Sequence, residues 1–537
     1  MSTRQFLFPL VATTVLYGLW KVYRIAYRGL TSSIRNIPGL STRNVFIGNL
    51  KELIFTDQAA AHEQYVKEYG NTFKFKALLW NDWLFTADVK AISHILKKDT
   101  HQWQKPMALG YSLQRILGPG VLLVDSDVHR KQRKILNPAF APAEVKLFTE
   151  TFLDKATKLR DIWTSQVQQN QGETRIEVLS WLSRAALDVI GETGFGYKFD
   201  ALAEEPNRTS ELHEAFKVMF RVGTNPSLIR LLRGLVSVMR YLPADRDLET
   251  EKAKKTMDRI SKQLLAERKL ALDPQRPDKT AIEGNDILSL LVRANASGAI
   301  NQRLSDEHVL AQIPTFIIAG HETTSTGTAW VLFALAQDKA IQARLREELL
   351  SVPTENPTMD ELNALSYLDA VVREAMRLHS PLPATARYPV EDDVLPLETP
   401  IIDKSGKVHH ELRVDKEVTV LISIAMVNRL ESIWGKDAKE FNPDRWSSLP
   451  EAAMSIPGVW GNTLSFLGGP RACIGYRFAL IEMKALLFIL IRAFEFELAV
   501  PVQDIIKRAE IVTRPILRTD PTGANQLPML VRPVACY

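Results

Sequence analysis

Apolar residues recur at helical spacing along most of the chain beyond about Asp127. The clearest example follows Gly475: Ala479, Leu480, Met483, Leu487 and Ile491 fall on one face of a helix. Ser305 can cap another helix, with Asp306 and Glu307 in its first turn. The pattern behind it runs to about Gln337, which at the helical rise is roughly 50 Å, enough to cross a domain. Pro314 falls inside that run and predicts a kink or a displaced hydrogen bond. Val121–Val124 and Phe494–Leu498 read as short strands, and a polar stretch near Asp273–Pro277 breaks the helical pattern. These patterns predict a large helical body with minor sheet.

The N-terminus follows a different pattern. Phe6 to Trp20 is an uncharged, mostly apolar run of 15 residues. It covers roughly 22 Å of a hydrocarbon core about 30 Å thick, and Lys21 can extend it by snorkelling to the headgroups. Lys21, Arg24, Arg28 and Arg35 follow the run, against Arg4 before it, so the positive-inside bias puts the body in the cytosol. The competing reading is a cleaved signal peptide, but the basic cluster follows the run and no small-x-small site stands out. The expected organisation is an anchor over residues 1–28, a hinge over 29–45 containing Ile37-Pro38-Gly39, and a body over 46–537. Between Leu228 and Leu242, Leu231, Leu232, Leu235, Val236 and Met239 alternate with arginines, as suits either an interfacial helix or a core-facing one. With a cytosolic body, the acceptor-like Asn207 and Asn295 are chance matches.

Composition narrows the function classes. Hydrophobic residues at 46% and charged residues at 24% exclude a disordered or low-complexity chain. The net charge is 67 − 62 = +5 with no long basic run, so no nucleic-acid partner is expected. Cys473 and Cys536 are the only cysteines. They provide no disulfide framework, four-cysteine zinc site or cysteine-ligated iron–sulfur cluster, and they favour a reducing compartment.

The most informative stretch is Phe466-Leu-Gly-Gly469-Pro-Arg471-Ala-Cys473-Ile-Gly475. Cys473 sits just before a helix start, where free N–H groups and the helix dipole favour a thiolate. The glycines permit close backbone approach, as a flat, bulky cofactor requires. Arg471 can bind a carboxylate or favour the thiolate. A buried structural cysteine in a Gly/Pro loop is the bland alternative. On the long helix, Ala319 and Gly320 leave a groove for a diatomic molecule, and Glu322 beside Thr323 sets an acid next to an alcohol, suited to relaying protons. Thr324 lies about 100° further round and is expected to face away. The same segment also fits a small-residue packing face with a solvated Glu, and His321 reads as a packing or surface residue. Glu374 and Arg377 share a helix face at i,i+3. His129 and Arg133 share one at i,i+4, where they could donate to carboxylates or simply form a basic, solvated face.

Phe466, Gly469, Arg471, Cys473 and Gly475 match every fixed position of Phe-x-x-Gly-x-Arg-x-Cys-x-Gly, the signature of the cytochrome P450 family, which the chain therefore resembles. The resemblance covers nearly the whole chain after the anchor, in the family's order. It implies one large mainly α domain with small sheets, haem b as cofactor, and Cys473 as the axial iron ligand, whose thiolate favours O–O cleavage. It makes Arg471 and Arg387 haem-propionate ligands, joined by Arg133 and by His129, which stands where the family usually has Trp. Ala319 to Thr324 becomes the oxygen-activation segment. Glu374, Arg377 and Arg445 become a buried structural triad that fixes the cysteine loop.

The implied reaction inserts one atom of O₂ into a lipophilic substrate such as a terpenoid, fatty acyl or aromatic compound. Secondary metabolism or xenobiotic oxidation would be its setting. Electrons would come from NADPH through a separate reductase, with cytochrome b5 as a further partner. Segment order and anchor resemble the eukaryotic class bound to the endoplasmic reticulum, and Asn428-Arg429 and Ile433-Trp434-Gly435 resemble fungal members. Two other readings compete: a reductase-independent isomerase or dehydratase, which the Glu322-Thr323 pair argues against, and a non-catalytic membrane haem-binding protein.

Overall fold

The computed structural model describes residues 31–534 apart from 43, 45, 55–57, 78–79, 99, 107–112, 272–283, 299–301, 510–511 and most of 204–246, together with isolated positions before residue 31. The expected anchor, the segment from Leu228 to Leu242, Asn207 and Cys536 therefore lie outside the described residues, except that Leu16, Trp20, Tyr23 and Tyr27 are helical and exposed. Among the described residues, no helix is long and apolar enough to cross a membrane.

The body is mostly helix with small sheets. The helix Pro142–Gln169 turns Phe148, Phe152, Leu159 and Trp163 inward. Its aromatic rings hold Phe478 of the helix Tyr476–Ala493 edge-on, at 5.9 Å from Phe148 and 4.7 Å from Phe152. The helix Val178–Phe195 packs along Gln312–Gln337. A second core surrounds a five-stranded sheet in the order Thr72–Lys76, Asp82–Thr86, Val420–Ser423, Ala384–Pro389, Trp103–Gln104. Phe494–Leu498 is a strand, as its alternation predicts, at the edge of a three-stranded sheet.

Two sequence expectations need correction. The long helix is divided: Ser305 caps Asp306–Leu310, a turn at Ala311 interrupts the helix, and the main helix is Gln312–Gln337. Pro314 explains the break, because it has no N–H for the Leu310 carbonyl and its ring crowds that oxygen. Gln312 bridges the gap, donating to the His308 carbonyl at 2.7 Å and accepting from the Val121 N–H at 3.1 Å. Val121–Val124 is a turn, with the Leu123 and Val124 N–H groups both donating to the Gly120 carbonyl. It presses so close to the main helix that a Cβ on Gly120 would lie 2.2 Å from the Thr315 hydroxyl, which leaves no room for a pairing strand.

Candidate active site

The two cores meet around a cavity of ≈ 300 Å³. Thr315, Phe316, Ala319, Thr323 and Thr324 of the main helix line one part of it, and Phe466, Arg471 and Cys473 of the cysteine loop line another. The loop is shaped by backbone approach. Gly469 has φ +69°, and a Cβ there would lie 2.0 Å from the Leu96 carbonyl, so no other residue fits. The Cys473 N–H donates to the Phe466 carbonyl at 2.9 Å and closes the loop. Gly475 serves as the N-cap of the helix that starts at Tyr476 and stands off the cavity wall.

The accessible surface of Cys473 faces the cavity, while the residue lies deep among protein atoms. That depth governs its electrostatics: burial pushes the thiol's pKa up, against smaller opposing effects of the Gly475 N–H and Arg133. The helix terminus that the sequence offered as thiolate-favouring is thus outweighed by desolvation, and a bound metal cation is what deprotonates such a thiol.

Four cations line the same cavity: Lys105, Arg133, Arg387 and Arg471. Arg133 donates to the Ala472 carbonyl at 2.8 Å, tying the helix Ser126–Leu136 to the cysteine loop. Arg387 donates to Thr385 Oγ1 at 2.8 Å, and burial, followed by the charge of Arg471, brings its pKa down to about 9. Lys105 donates to the Leu122 carbonyl at 2.5 Å, and burial brings its pKa down to about 7. Arg471 donates to the Thr100 carbonyl at 3.2 Å and pairs with Asp125. His129 also lines the wall and is held neutral by burial and then by these cations, with its pKa brought down to about 3.

The acid and the alcohol are separated. The Thr323 hydroxyl lines the cavity and donates to the Ala319 carbonyl at 2.5 Å. Glu322 stands off the cavity wall, and its Oε2 accepts from Arg514 Nη2 at 2.8 Å and Nε at 3.1 Å. Gly320 also faces away, since a Cβ there would meet Ile190 of Val178–Phe195 at 3.1 Å. The expected groove for a diatomic molecule is therefore a helix-packing contact at Gly320, and only Ala319 reaches the cavity. Thr324 reverses its expected placement: it lines the cavity, 2% exposed, and its hydroxyl has no hydrogen-bond partner among the described residues. His321 is buried, with its Nε2 2.6 Å from Ser183 Oγ.

Glu374, Arg377 and Arg445 meet behind the cavity. Arg377 binds both oxygens of Glu374, at 2.7 and 2.9 Å, and Arg445 Nε donates to Glu374 Oε1 at 3.3 Å. Trp446 Nε1 adds a donor to Glu374 at 3.1 Å, and Asp437 pairs with Arg445 at 2.7 Å.

Haem b brings two carboxylates, a flat apolar ring and an iron that seeks a thiolate. The wall supplies a thiol, four cations, no described carboxylate and otherwise mostly apolar side chains, so the residues fit the group. Such a donor set defines a haem-thiolate protein. The chain matches the family described as cytochrome P450 over residues 38–519. It is 46% identical to cytochrome P450 monooxygenase 205 of Postia placenta over 98% of both chains. It is 34% identical to cytochrome P450 monooxygenase claQ of Ampulloclitocybe clavipes, covering 99% of each chain. It is also 34% identical to a ganoderic acid synthetase of Ganoderma lucidum, covering 97% of each. The chain belongs to the cytochrome P450 family and is a haem-thiolate monooxygenase.

Lys105, Asp125 and Arg514 escaped sequence reasoning. Asp125 stood four residues before His129 and could have been suspected from that helix start. Lys105 and Arg514 carry no local signal, because only the tertiary fold brings them to the cavity and to Glu322.

Proposed function

We propose that Cys473 ligates the iron of haem b, and that Arg133, Arg387, Arg471 and Lys105, with neutral His129, hold its propionates in the oxidation of a lipophilic small molecule. The observation that carries this reading is the convergence of the only described cysteine and four cations on one largely apolar cavity. Overall, RH and O₂ take up two electrons and two protons and give ROH and water. The haem supplies the O₂ activation and the oxygen-atom transfer. The chain's part is to bind, orient and deliver protons. Phe316, Leu382 and Ile424 offer apolar surface to the substrate, the Thr323 hydroxyl holds a proton-bearing position on the cavity wall, and Glu322 stands behind it on Arg514. Two electrons come from NADPH through a separate reductase. Residues 1–28 anchor the chain in the endoplasmic reticulum membrane, with residues 46–537 as the cytosolic catalytic domain.

Reduced protein under carbon monoxide should show the thiolate-diagnostic band, and Cys473→Ala should abolish it. Persistence of the band in that variant would overturn the ligand assignment. Microsomes with reductase should consume NADPH in step with product from a lipophilic panel, and product formed without NADPH would favour an isomerase instead.

A further inference from the structure

The cavity wall is electrostatically one-sided. Lys105, Arg133, Arg387 and Arg471 line it, and no Asp or Glu does among the described residues. Asp125 is the carboxylate beside this group. It pairs with Arg471, and its charge also acts on Lys105 and Arg387. Asp125 occupies the N-cap of Ser126–Leu136 but makes no side-chain capping bond, so its carboxylate is not committed to the helix. Its side chain is 20% exposed and that of Arg471 8%, which leaves the pair only weakly screened by water.

We propose that Asp125 is a positioning residue and counter-ion for the haem: it holds Arg471 at the cavity rim and offsets one of the four cations, and so keeps the haem reduction potential low. This rests on the haem-thiolate reading of the same cavity. Reduction adds one negative charge to the haem, so each net positive charge nearby favours the reduced form. A unit charge on the order of 12 Å away, at an effective dielectric of about 20, shifts that equilibrium about tenfold, which for one electron is about 59 mV.

The test is a spectroelectrochemical titration of the haem-loaded full chain. Asp125→Asn keeps the shape and removes the charge, and its midpoint should rise by about 59 mV. Asp125→Glu keeps the charge and should stay within about a third of that shift. A merely structural role would not separate the two variants in this way. An unchanged potential in Asp125→Asn, an equal shift in both, or failure of Asp125→Asn to hold haem overturns the proposal. The carbon monoxide band is read in the same samples. Its absence from the wild type overturns the haem-thiolate reading and the proposal with it, whereas a normal band with an unmoved potential overturns the proposal alone.

Discussion

Thr323 and Thr324 both reach the cavity, but among the described residues only the first has a partner for its hydroxyl. Thr323→Ala removes a donor from the wall where oxygen chemistry needs protons. Positioned proton transfer contributes about 10²–10⁴-fold to a step that depends on it, and water in the vacated space makes the low end the expectation. Product per NADPH should fall and peroxide should rise, while haem content stays unchanged. Equal coupling in variant and wild type would remove the hydroxyl from the relay. Thr324→Val tests the opposite kind of site. Replacing an unsatisfied buried hydroxyl by an isosteric methyl is close to neutral or stabilising, so the melting temperature should hold or rise. A fall of several degrees would mean that the hydroxyl has a partner in the working enzyme.

The cysteine loop shows how an element can be specified by what presses on it. Gly469 is squeezed against the Leu96 carbonyl in the helix Val89–Lys97, with a backbone angle that side chains avoid. Gly469→Ala should cost on the order of 1–3 kcal/mol from the strained angle alone, and the collision with Leu96 adds to that. Because the strain falls four residues before Cys473, haem retention should drop more steeply than global stability. Matched haem-release and unfolding measurements check this, and parallel losses would make the glycine a general stability residue. The triad supports the same loop from behind: Arg377 donates to the Ala438 carbonyl at 2.5 Å and the Asn428 carbonyl at 2.8 Å. Asn428 Nδ2 in turn donates to Ser465 Oγ at 3.0 Å, beside Phe466.

At the scale of the whole molecule, one buried acid opposes the fold. Glu482, buried in the helix Tyr476–Ala493, is 1% exposed, and burial raises its pKa well above the ordinary value. A carboxyl whose folded pKa is raised binds more protons folded than unfolded. Its contribution is therefore fully present below the unfolded value of about 4.5 and lost as pH rises toward the folded one. Glu482→Gln should raise the melting temperature at about pH 8 and leave it nearly unchanged at about pH 4. An equal gain at both values would point to packing rather than ionisation. The expected anchor also belongs to this scale, and membrane partitioning of full-length and 1–28-deleted protein measures it.

The sequence alone determined the family, the candidate ligand Cys473 and the helical class, because each rests on local chemistry. A thiol among glycines before a helix, an acid–arginine pair at i,i+3 and long apolar periodicities are all contained within short stretches. A local disturbance near Gln312 was legible, since Pro314 acts on its own preceding turn, but the division into two helices was not. Tertiary structure decided which neighbours face which way. It turned Gly320 toward Ile190 and Glu322 toward Arg514, brought Thr324 to the cavity, and made a turn of Val121–Val124 against Thr315. It also set Lys105 and Asp125 beside Arg471, which lies more than 300 positions away along the chain. A helix face buries according to what packs on it, and a charge acts through space, so neither is encoded in the residues immediately around it.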